Sequence, residues 1–457
     1  MHILFAVKDL ETEYLGIMYL SSVLKKSGHQ VDIVEATYGK MKNKLKNGSF
    51  TLLAYTALSQ LARYYLDLNR RIKEEFKIFS VFGGSHFTYF PEAIKEPGVD
   101  GVCIGEGEYA LLDLADNLDA GEPITNIENW WIKSDGTIFQ NPSRPLIRNL
   151  DDLPFPDRTL FSSRYPLTYI TTSRGCPYRC SYCTEKNEFR QRSIANVIEE
   201  LRRIKFEKQA NFIYFVDSTF NSSLPWLRGF SEIYKKEIGL PFLCFVRADL
   251  VTPEIVRCLK NADCQCVSIG TETANEDLQD KIFKRKILKE QIISAAAIFK
   301  KAKIRLRISN IIGIPFSSLE DDLETLKFNI LCRPDYAKAN PLYIYRGSEL
   351  YNFISKDPRF RLFNIPVKDY YLFVDTLDPY EAIKIKRLAN LFGLVVGFPF
   401  LLPMIKFLLK LPFHRLGKYL DLIYCGFCSY FRLCDRRTGW RGFFIGFKRY
   451  MKMLMRA

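Results

Sequence analysis

Short apolar runs alternate with amphipathic segments along the first 120 residues, and this alternation limits the folds that the chain can adopt. The runs predict five strands, at residues 2–7, 31–34, 52–55, 78–82 and 102–104. The segments between them, such as residues 15–26, have the apolar spacing of amphipathic helices. Apolar strands joined by crossover helices predict an α/β domain with a doubly wound, Rossmann-like parallel sheet, which binds ligands beyond the carboxyl ends of its strands.

The same alternation resumes after a proline-rich segment. Residues 141–165 contain Pro142, Pro145, Pro154 and Pro156 without periodicity, which is typical of a linker. Beyond it, apolar runs predict six more strands, at residues 167–172, 212–216, 242–246, 267–269, 306–312 and 336–339. Six βα units favour a partial, TIM-like (β/α)6 barrel over a second flat sheet. We therefore expect a first domain at 1–140, a linker at 141–165, a partial barrel at 166–375 and a mainly helical extension at 376–457.

The C-terminal extension carries most of the positive charge of the chain. The 457 residues include 66 Lys or Arg and 51 Asp or Glu, which gives a net charge of +15. Residues 391–457 contain twelve of the basic residues but only two acids, Asp421 and Asp435. Because the rest of the chain is nearly neutral, a surface that coats nucleic acid is disfavoured and a local anionic partner is favoured.

An apolar run at residues 391–405 is too short, and too interrupted by Pro399 and Pro403, to predict a transmembrane helix. Together with the aromatic and basic segment 443–448, it indicates either packing on the barrel or peripheral contact with a membrane. The N-terminal residues lack the pattern of a secretory signal, so we expect a cytoplasmic protein, with any membrane contact at the inner face.

Three of the twelve cysteines form the strongest chemical motif of the chain. Cys176, Cys180 and Cys183 have Cys-x3-Cys-x2-Cys spacing and follow a predicted strand. Three thiolates can ligate a [4Fe–4S] cluster and leave one iron open to another ligand. A zinc site would need a fourth ligand, and no His lies within 80 residues of Cys183. The remaining alternative is three unrelated buried cysteines.

A second cysteine group has a weaker pattern. Cys425, Cys428 and Cys434 have Cys-x2-Cys-x5-Cys spacing, which is similar to part of an auxiliary-cluster motif. Burial as small apolar side chains is the alternative, because cysteine packs readily in cores.

The first motif, with the aromatic Tyr182 before its last cysteine, resembles the signature of the radical S-adenosylmethionine (SAM) superfamily. The resemblance implies that the three cysteines hold a [4Fe–4S] cluster, that its open iron binds SAM and that Tyr182 lies near the adenine. It also implies that one electron cleaves SAM to a 5′-deoxyadenosyl radical, which abstracts hydrogen from an unactivated C–H bond. Later strand ends resemble further family motifs and add Asp217, Glu272, Arg307 and Gly313 as cofactor-binding candidates. Among these, Glu272 is implied near the SAM amino or ribose groups and Arg307 at its carboxylate.

The glycine-rich strand ends of the first domain resemble the cobalamin-binding-domain branch of the same superfamily. Segments 15–20, 26–31, 83–88, 105–108 and 153–156 carry this resemblance. It implies a cobalamin site with the candidates Thr56, Gly83, Gly84, His86, Gly105, Glu106, Gly107 and Glu108. Glycine in such positions lets the backbone approach a large flat cofactor closely. The Asp-x-His-x-x-Gly fingerprint is absent, which excludes cobalt ligation by its His, and a vestigial domain is the alternative.

The two resemblances together imply a cobalamin-dependent radical SAM enzyme. The expected reaction is methylation of an unactivated carbon in a hydrophobic or anionic small molecule or lipid, because the extension is apolar and basic. A reductant such as flavodoxin or ferredoxin is the implied protein partner, and no nucleic acid is expected. The alternatives are ring closure or rearrangement, for example of a tetrapyrrole, and an inactive cobalamin- or lipid-binding protein. A tRNA methylthiotransferase is disfavoured, because only Cys103 precedes Cys176.

Overall fold

The computed structural model describes residues 1–161, 167–185, 188–207, 210–358, 379–411 and 414–428. The chain forms two compact units, one made by residues 1–161 and one by the described residues from 167 onward. Within these ranges, no helix combines the length and the apolar character that crossing a membrane would require.

The first unit contains a seven-stranded sheet and five α-helices. The strands are β1 (His2–Val7), β2 (Gln30–Glu35), β3 (Leu52–Thr56), β4 (Phe79–Gly83), β5 (Gly101–Cys103), β6 (Trp130–Ser134) and β7 (Thr137–Gln140). The helices are α1 (Leu15–Lys26), α2 (Tyr38–Lys46), α3 (Ser59–Lys73), α4 (Ser85–Tyr89) and α5 (Glu108–Ala120). The strand order is β2-β1-β3-β4-β5-β6-β7, with β1 to β5 parallel. The order reverses between β1 and β3, so the predicted doubly wound fold is confirmed.

Both faces of this sheet are buried under helices, as its continuous apolar strands require. Ile3 and Phe5 of β1 share an apolar core with residues of α1 and α5. Leu4 and Ala6 point to the opposite face and share a core with residues of α2 and α3. The alternation of side chains along β1 therefore fixes which helices lie on each face.

The β6–β7 hairpin is absent from the expected strands, although the sequence contains its signal. Asp135 and Gly136 connect the two antiparallel strands, with φ angles of +49° and +78°. A two-residue hairpin turn needs such left-handed values, and Asp-Gly between strand-forming residues is its typical sequence.

The second unit contains a six-stranded parallel sheet and a separate short hairpin. Its strands are β8 (Leu167–Ile170), β9 (Ser173–Arg174), β10 (Arg190–Gln191), β11 (Phe212–Phe215), β12 (Phe242–Val246), β13 (Cys264–Glu272), β14 (Arg305–Ile312) and β15 (Tyr336–Pro341). The sheet order is β15-β14-β13-β12-β11-β8, and β9 pairs with β10. Neighbouring strands follow in chain order and the two edge strands do not pair in the described residues. This is the open βα arrangement that the sequence predicts.

Nine α-helices accompany these strands in the described part of the second unit. They are α6 (Ile194–Glu207), α7 (Leu224–Glu237), α8 (Pro253–Asn261), α9 (Lys289–Lys301), α10 (Leu319–Cys332), α11 (Glu349–Ile354), α12 (Pro379–Gly397), α13 (Ile405–Leu408) and α14 (His414–Phe427). Helices α6 to α9 cover one face of the sheet, which we call the outer face, where Ile213, Phe215 and Ile308 are buried. The opposite face, which we call the inner face, carries Leu243 and Cys266.

The C-terminal extension packs on the second sheet. Leu388 and Phe392 of α12 share an apolar core with residues of β15 and α10. Tyr424 of α14 lies 6.2 Å from Tyr336 of β15, measured between ring centroids, on the inner face. The first of the two expected roles of the extension, packing on the barrel, is therefore observed.

The second cysteine group is only partly described. Cys425 is half-buried and Cys428 is buried. Cys434 and residues 443–448 lie outside the described residues, so the two alternatives for this group, a second cluster and burial, both stay open.

Gly84 occupies a backbone position that suits glycine alone. Its φ is +92° and its ψ is 179°, and an added Cβ would lie 2.6 Å from the Thr56 Oγ1 and 2.9 Å from the backbone nitrogen of Ala57. We expect Gly84→Ala to lower the free energy of unfolding by about 2–4 kcal/mol through backbone strain and overpacking. Urea denaturation of the full chain measures this loss.

Gly16→Ala is the matched control in the same unit. Gly16 lies in α1, and an added Cβ would have no atom within 4 Å apart from its chain neighbours and the backbone of its own helix. This change should leave the urea midpoint unchanged or raise it slightly, because Ala favours the helix. Equal midpoints for the two variants would contradict the prediction.

Candidate active site

The three cysteines of the first motif lie on the loop that follows β8. The loop leaves the sheet after Ile170, turns at Gly175, where φ is +78°, and leads on to the short strand β10. Cys176, Cys180 and Cys183 are half-buried there. The backbone nitrogen of Cys183 donates a hydrogen bond of 3.1 Å to the carbonyl of Cys180, which makes a tight turn. The loop begins at the carboxyl end of a parallel strand, where such sheets bind ligands.

Asp217, just after β11, fastens the start of this loop. Its Oδ1 accepts hydrogen bonds from the backbone nitrogen and the hydroxyl of Thr172, at 2.8 and 3.0 Å, and from the hydroxyl of Ser173 at 2.7 Å. Burial raises the pKa of Asp217, and these hydrogen bonds oppose the rise. The contacts show that Asp217 positions the loop, and the direct cofactor contact implied for it stays a prediction.

Ser181, between the second and third cysteines, ties the far side of the loop to two other segments. Its backbone nitrogen donates to the carbonyl of Phe283 at 2.9 Å, and its own carbonyl accepts from the backbone nitrogen of Leu350 at 2.8 Å. Its hydroxyl donates to the carbonyl of Ile282. The cysteine loop is therefore held at both of its ends by hydrogen bonds within the protein.

The polar groups around the sulfur atoms fit a cluster that is ligated by thiolates. The Nη1 of Arg247 lies 4.0 Å from the Sγ of Cys180. The backbone nitrogen of Glu185 lies 3.4 Å from the Sγ of Cys183. Donors of this kind stabilise anionic sulfur and tune the clusters that it ligates. Burial raises the pKa of Cys183, and the charges of Cys180 and Cys176 add to the rise.

The described residues contain no set of three or more His, Cys, Asp or Glu side chains placed to hold a metal ion. A [4Fe–4S] cluster makes a different demand from a single ion, because each cysteine ligates a different iron and the sulfur atoms stand farther apart. Three thiols spread along one loop therefore fit a cluster better than the zinc site, which needs four ligands around one ion.

Arg247 connects the cysteine loop to the end of β12. Its guanidinium lies 3.4 Å from the centre of the Tyr178 ring and forms a two-point ion pair with Asp249, at 3.0 and 2.8 Å. Its backbone nitrogen and carbonyl both pair with the side-chain amide of Asn221. The sequence shows Arg247 at a strand end, but its contact with Cys180 depends on the tertiary structure.

Tyr182, Glu272 and Arg285 form a hydrogen-bonded group beside the cysteines. The hydroxyl of Tyr182 donates to the Oε1 of Glu272 at 3.0 Å, and the Nη1 of Arg285 lies 3.3 Å from that hydroxyl. Arg285 forms an ion pair with Glu272 at 3.5 Å and donates to the carbonyl of Gly270 at 2.7 Å. Burial and the charge of Glu272 raise the pKa of Tyr182, so the phenol remains a donor. Glu272 has a φ of +63°, a strained value for this residue type and typical of functional positions.

Arg285 is the member of this group that no sequence motif indicated. It follows a single π-helical turn, Leu278–Ile282, in which Gln279 donates to the carbonyls of Thr271 and Thr273 at 2.9 and 3.1 Å. Such turns often occur at functional sites, but five residues show no period that a sequence can reveal. A cavity of about 630 Å³ is lined in part by Gln279 and Arg285.

The strand pairing places Arg307 away from the group formed by Tyr182, Glu272 and Arg285. Glu272 of β13 lies opposite Asn310 of β14, whereas Arg307 lies opposite Ser268, farther from the carboxyl ends. The role at the SAM carboxylate that the resemblance implies for Arg307 stays a prediction.

Gly313 follows β14 directly and turns the chain with a φ of +67°. Its backbone nitrogen donates to both carboxylate oxygens of Asp322, at 3.2 and 3.1 Å. Burial raises the pKa of Asp322 to about 7. The contact of Gly313 with SAM stays a prediction, while its hydrogen bonds show how the loop is held.

The glycine-rich strand ends of the first unit form one connected edge. The hydroxyl of Thr88 donates to the carbonyl of Gly84, and it accepts from the backbone nitrogen of Gly105, both at 3.1 Å. The carbonyl of Gly83 accepts from the nitrogen of the residue after Thr56, at 3.0 Å. The loops after β3, β4 and β5 therefore adjoin one another, as parallel pairing predicts.

The remaining candidates of the first unit are engaged by the protein itself. His86 is buried, with its Nδ1 3.0 Å from the hydroxyl of Ser59. The carboxylate of Glu106 accepts from the backbone nitrogen of Ile147 at 2.8 Å. Gly107 and the buried Glu108 lie at the start of α5. Cofactor contacts of these four candidates stay predictions.

The loop after β1 lies at the same edge of the sheet and was not among the candidates. The Oδ1 of Asp9 accepts from the backbone nitrogens of Glu11 and Thr12, at 3.0 and 2.7 Å. The Nζ of Lys8 lies 3.8 Å from the centre of the Tyr64 ring. The feature that could have identified this loop is its position between β1 and β3, where the strand order reverses. Doubly wound sheets bind ligands at such a point.

Comparisons with known proteins agree with this geometry. Residues 170–328 match the family model of the Radical SAM superfamily, and residues 1–115 match that of the B12 binding domain. An uncharacterized methyltransferase of Pyrococcus horikoshii is 29% identical, over 74% of this chain and 78% of its own length. The anaerobic magnesium-protoporphyrin IX monomethyl ester cyclase of Rubrivivax gelatinosus is 26% identical, over 70% of this chain and 62% of its own length.

A solved structure has the same fold along nearly the whole chain. The cobalamin-dependent S-adenosylmethionine radical enzyme OxsB superposes with a TM-score of 0.72 at 16% identity, covering 99% of this chain and 75% of OxsB. Residues 170–328 therefore form a Radical SAM domain, and residues 1–115 form a B12-binding domain.

Because His86 is buried, the free energy of unfolding should depend on pH in a way that can be measured. Burial lowers the pKa of His86 from 6.5 to about 4, so the unfolded chain binds more protons between these values. We expect the protonation of His86 to lower the free energy of unfolding by up to about 3 kcal/mol as pH drops from 6.5 to 4, while the raised pKa of Asp322 acts in the opposite direction over the same range. Urea midpoints at several pH values, read by tryptophan fluorescence, check this slope.

His86→Gln should remove this contribution, because glutamine does not titrate, so the variant should lose less stability than the unchanged chain as pH falls. His2→Gln is the control at a more exposed histidine, which lies 3.1 Å from Asp32, and it should keep the slope. The expectation is wrong if the midpoints of His86→Gln and of the unchanged chain change with pH in the same way.

Proposed function

We propose that the protein is a cobalamin-dependent radical SAM enzyme that transfers a methyl group to an unactivated carbon of a hydrophobic or anionic small molecule or lipid. The observation that most supports this function is the Cys-x3-Cys-x2-Cys loop at the carboxyl end of β8, in a chain that also has a B12-binding domain. The name of the Pyrococcus relative supports methyl transfer. We also propose the domain boundaries that the sequence predicts, which are 1–140, 141–165, 166–375 and 376–457.

Each cofactor has a set of residues that would hold it. Cys176, Cys180 and Cys183 would ligate a [4Fe–4S] cluster, and Tyr182 and Glu272 would contact SAM. The edge formed by the strand ends of the first unit would hold cobalamin, with the candidates Thr56, Gly83, Gly84, His86, Gly105, Glu106, Gly107 and Glu108. When bound, the cluster supplies the electron that cleaves SAM, and cobalamin carries the methyl group.

The side chains around the cysteine loop have distinct tasks in this scheme. Asp217 and Ser181 keep the loop in place through hydrogen bonds. The Nη1 of Arg247 lies 4.0 Å from the Sγ of Cys180, where it would donate to a cysteine sulfur that ligates iron. Arg285 and the hydroxyl of Tyr182 orient the carboxylate of Glu272, which can then accept from a cationic amino group.

Ring closure or rearrangement is the second candidate. The similarity to the Rubrivivax cyclase favours it, although the chain spans less than two thirds of that enzyme. An inactive binding protein is less well supported, because the chain retains all three cysteines of the motif.

An anaerobic assay distinguishes these reactions. The protein is reconstituted with iron, sulfide and cobalamin, and 5′-deoxyadenosine and S-adenosylhomocysteine are quantified with SAM, a reductant and a cell lipid extract. We expect both products in similar amounts, because one SAM supplies the methyl group and another the radical. 5′-Deoxyadenosine alone would favour ring closure or rearrangement.

The triple variant Cys176→Ala, Cys180→Ala and Cys183→Ala should lose both products and the cluster iron. Cys258→Ala, at a buried cysteine of the outer core, is the matched control and should keep both. Iron retained by the triple variant would refute the cluster assignment.

We further propose that a reductant such as flavodoxin or ferredoxin supplies the electrons. We also propose that the extension contacts an anionic membrane, on the cytoplasmic face of that membrane. The segment from Pro399 to Leu411 has two different sides. Ile405 and Leu409 are buried in the core with α12, whereas Phe400 and Phe407 are 74% and 60% exposed. Apolar side chains held outward in this way can enter the boundary between headgroups and acyl chains.

The charges near this segment match an anionic surface. No acidic residue occurs between Glu381 and Asp421, while Lys406 and Lys410 lie within the segment. Lys406 pairs with Glu320 at 2.6 Å. An exposed apolar patch flanked by basic residues is typical of an interfacial anchor.

Sedimentation with vesicles that contain anionic lipid tests the membrane contact. We expect the double variant Phe400→Ser and Phe407→Ser to bind such vesicles about tenfold more weakly, because it loses two buried rings at the interface. Phe206→Ser is the control, since Phe206 of α6 is also 74% exposed. Equal binding by the double variant and the unchanged chain would disprove the contact.

A further inference from the structure

The inner face of the second sheet carries a row of aromatic side chains. Ile213 and Phe215 of β11 belong to the outer core, so Tyr214 between them points to the inner face. The ring of Tyr214 lies 5.5 Å from that of Tyr169 on β8 and 5.7 Å from that of Phe245 on β12, measured between centroids. All three rings are half-buried. Three neighbouring strands thus present one partly open aromatic surface.

Arg307 of β14 stands on the same face as this row. Leu306 and Ile308, on either side of it, belong to the outer core. Arg307 acts directly on Tyr214: its charge and a hydrogen bond oppose the rise in the pKa of Tyr214 that burial causes. The cation therefore lies on the same face as the aromatic row, beside Tyr214.

The guanidinium of Arg307 has an incomplete set of partners. Its Nε is buried and makes no hydrogen bond, and no carboxylate in the described part of the chain forms an ion pair with it. Asp421 of α14 lies near the inner face, but the cation that acts on it is Lys338. A partly desolvated arginine without an acid is costly, and an anionic ligand with two oxygens would complete its geometry.

The other end of the inner face is closed by the protein. Tyr424 and Cys428 share an apolar cluster with Leu243, Cys266 and Tyr336. These apolar side chains border the aromatic row, because Tyr214 packs against the same cluster.

We propose that the inner face binds a substrate with a planar or polyunsaturated apolar body and one carboxylate or phosphate group. The body lies on Tyr169, Tyr214 and Phe245, and the anionic group binds Arg307. This inference rests on the proposed function, because it names the substrate class of that enzyme. It also assigns Arg307 to the substrate rather than to the SAM carboxylate.

Two matched probes test this recognition on the full chain. Pyrenebutyrate has a planar apolar body and a carboxylate, and pyrenebutyramide is its neutral counterpart. We expect the unchanged chain to bind the carboxylate about tenfold more tightly than the amide, measured by fluorescence titration. Arg307→Gln should abolish this preference and leave the affinity for the amide unchanged. Tyr214→Leu should weaken the binding of both probes.

Two further variants make the result specific. Arg307→Lys keeps the charge but not the two-point geometry, so it should retain part of the preference. Arg203→Gln, at an exposed arginine of α6 on the outer side, should bind both probes as the unchanged chain does. A preference for the carboxylate that persists in Arg307→Gln overturns the proposal.

The affinity of the cluster-loaded protein for SAM, measured by calorimetry, separates the two roles of Arg307. Unchanged SAM binding by Arg307→Gln, with loss of the carboxylate preference, supports the substrate site. Loss of SAM binding with an intact preference overturns it and assigns Arg307 to SAM. The probe titration needs no turnover, so a failure of the proposed methyl transfer would be seen separately in the product assay.

Discussion

The parallel pairing of six strands in the second unit is the constraint on which the candidate site depends. Parallel strands in chain order bring the carboxyl ends of β8, β11, β12 and β13 to one edge. Asp217, Arg247 and Glu272 stand at three of these ends, and each contacts the cysteine loop that follows the fourth. Tyr182 and Glu272 are 90 residues apart in the chain. Only the pairing of the sheet can bring their side chains into a hydrogen bond.

Hydrogen bonds within the protein hold the cysteine loop at both of its ends. Asp217 satisfies three donors at the start of the loop, and Ser181 engages two other segments at its far side. Leaving such buried groups unpaired would cost about 1–3 kcal/mol each, so the folded unit favours this loop position strongly. The polar groups that would act on a cluster, above all Arg247, are held by partners of their own. The proposed cofactors would therefore meet a largely prepared site.

Apolar periodicity predicted the strands well, because strands buried on both faces leave a continuous apolar signature. β1 occupies its expected range, while β13 extends from Cys264 to Glu272, beyond the expected 267–269, since strand pairing tolerates polar residues at its ends. The β6–β7 hairpin was missed despite its Asp-Gly turn. Arg285 had no local signal at all, because its partners come from β13 and from the cysteine loop.

The sequence by itself determined the class of the protein, because its evidence is local: the spacing of three cysteines, the glycine-rich strand ends and the βα alternation are all read along the chain. Only the tertiary structure decided how single side chains are used. It turned Asp217 toward the loop backbone, buried His86 and placed Arg307 beside the aromatic row rather than in the Tyr182 group. The physical reason is that these contacts depend on strand register and side-chain direction, which bring distant residues together.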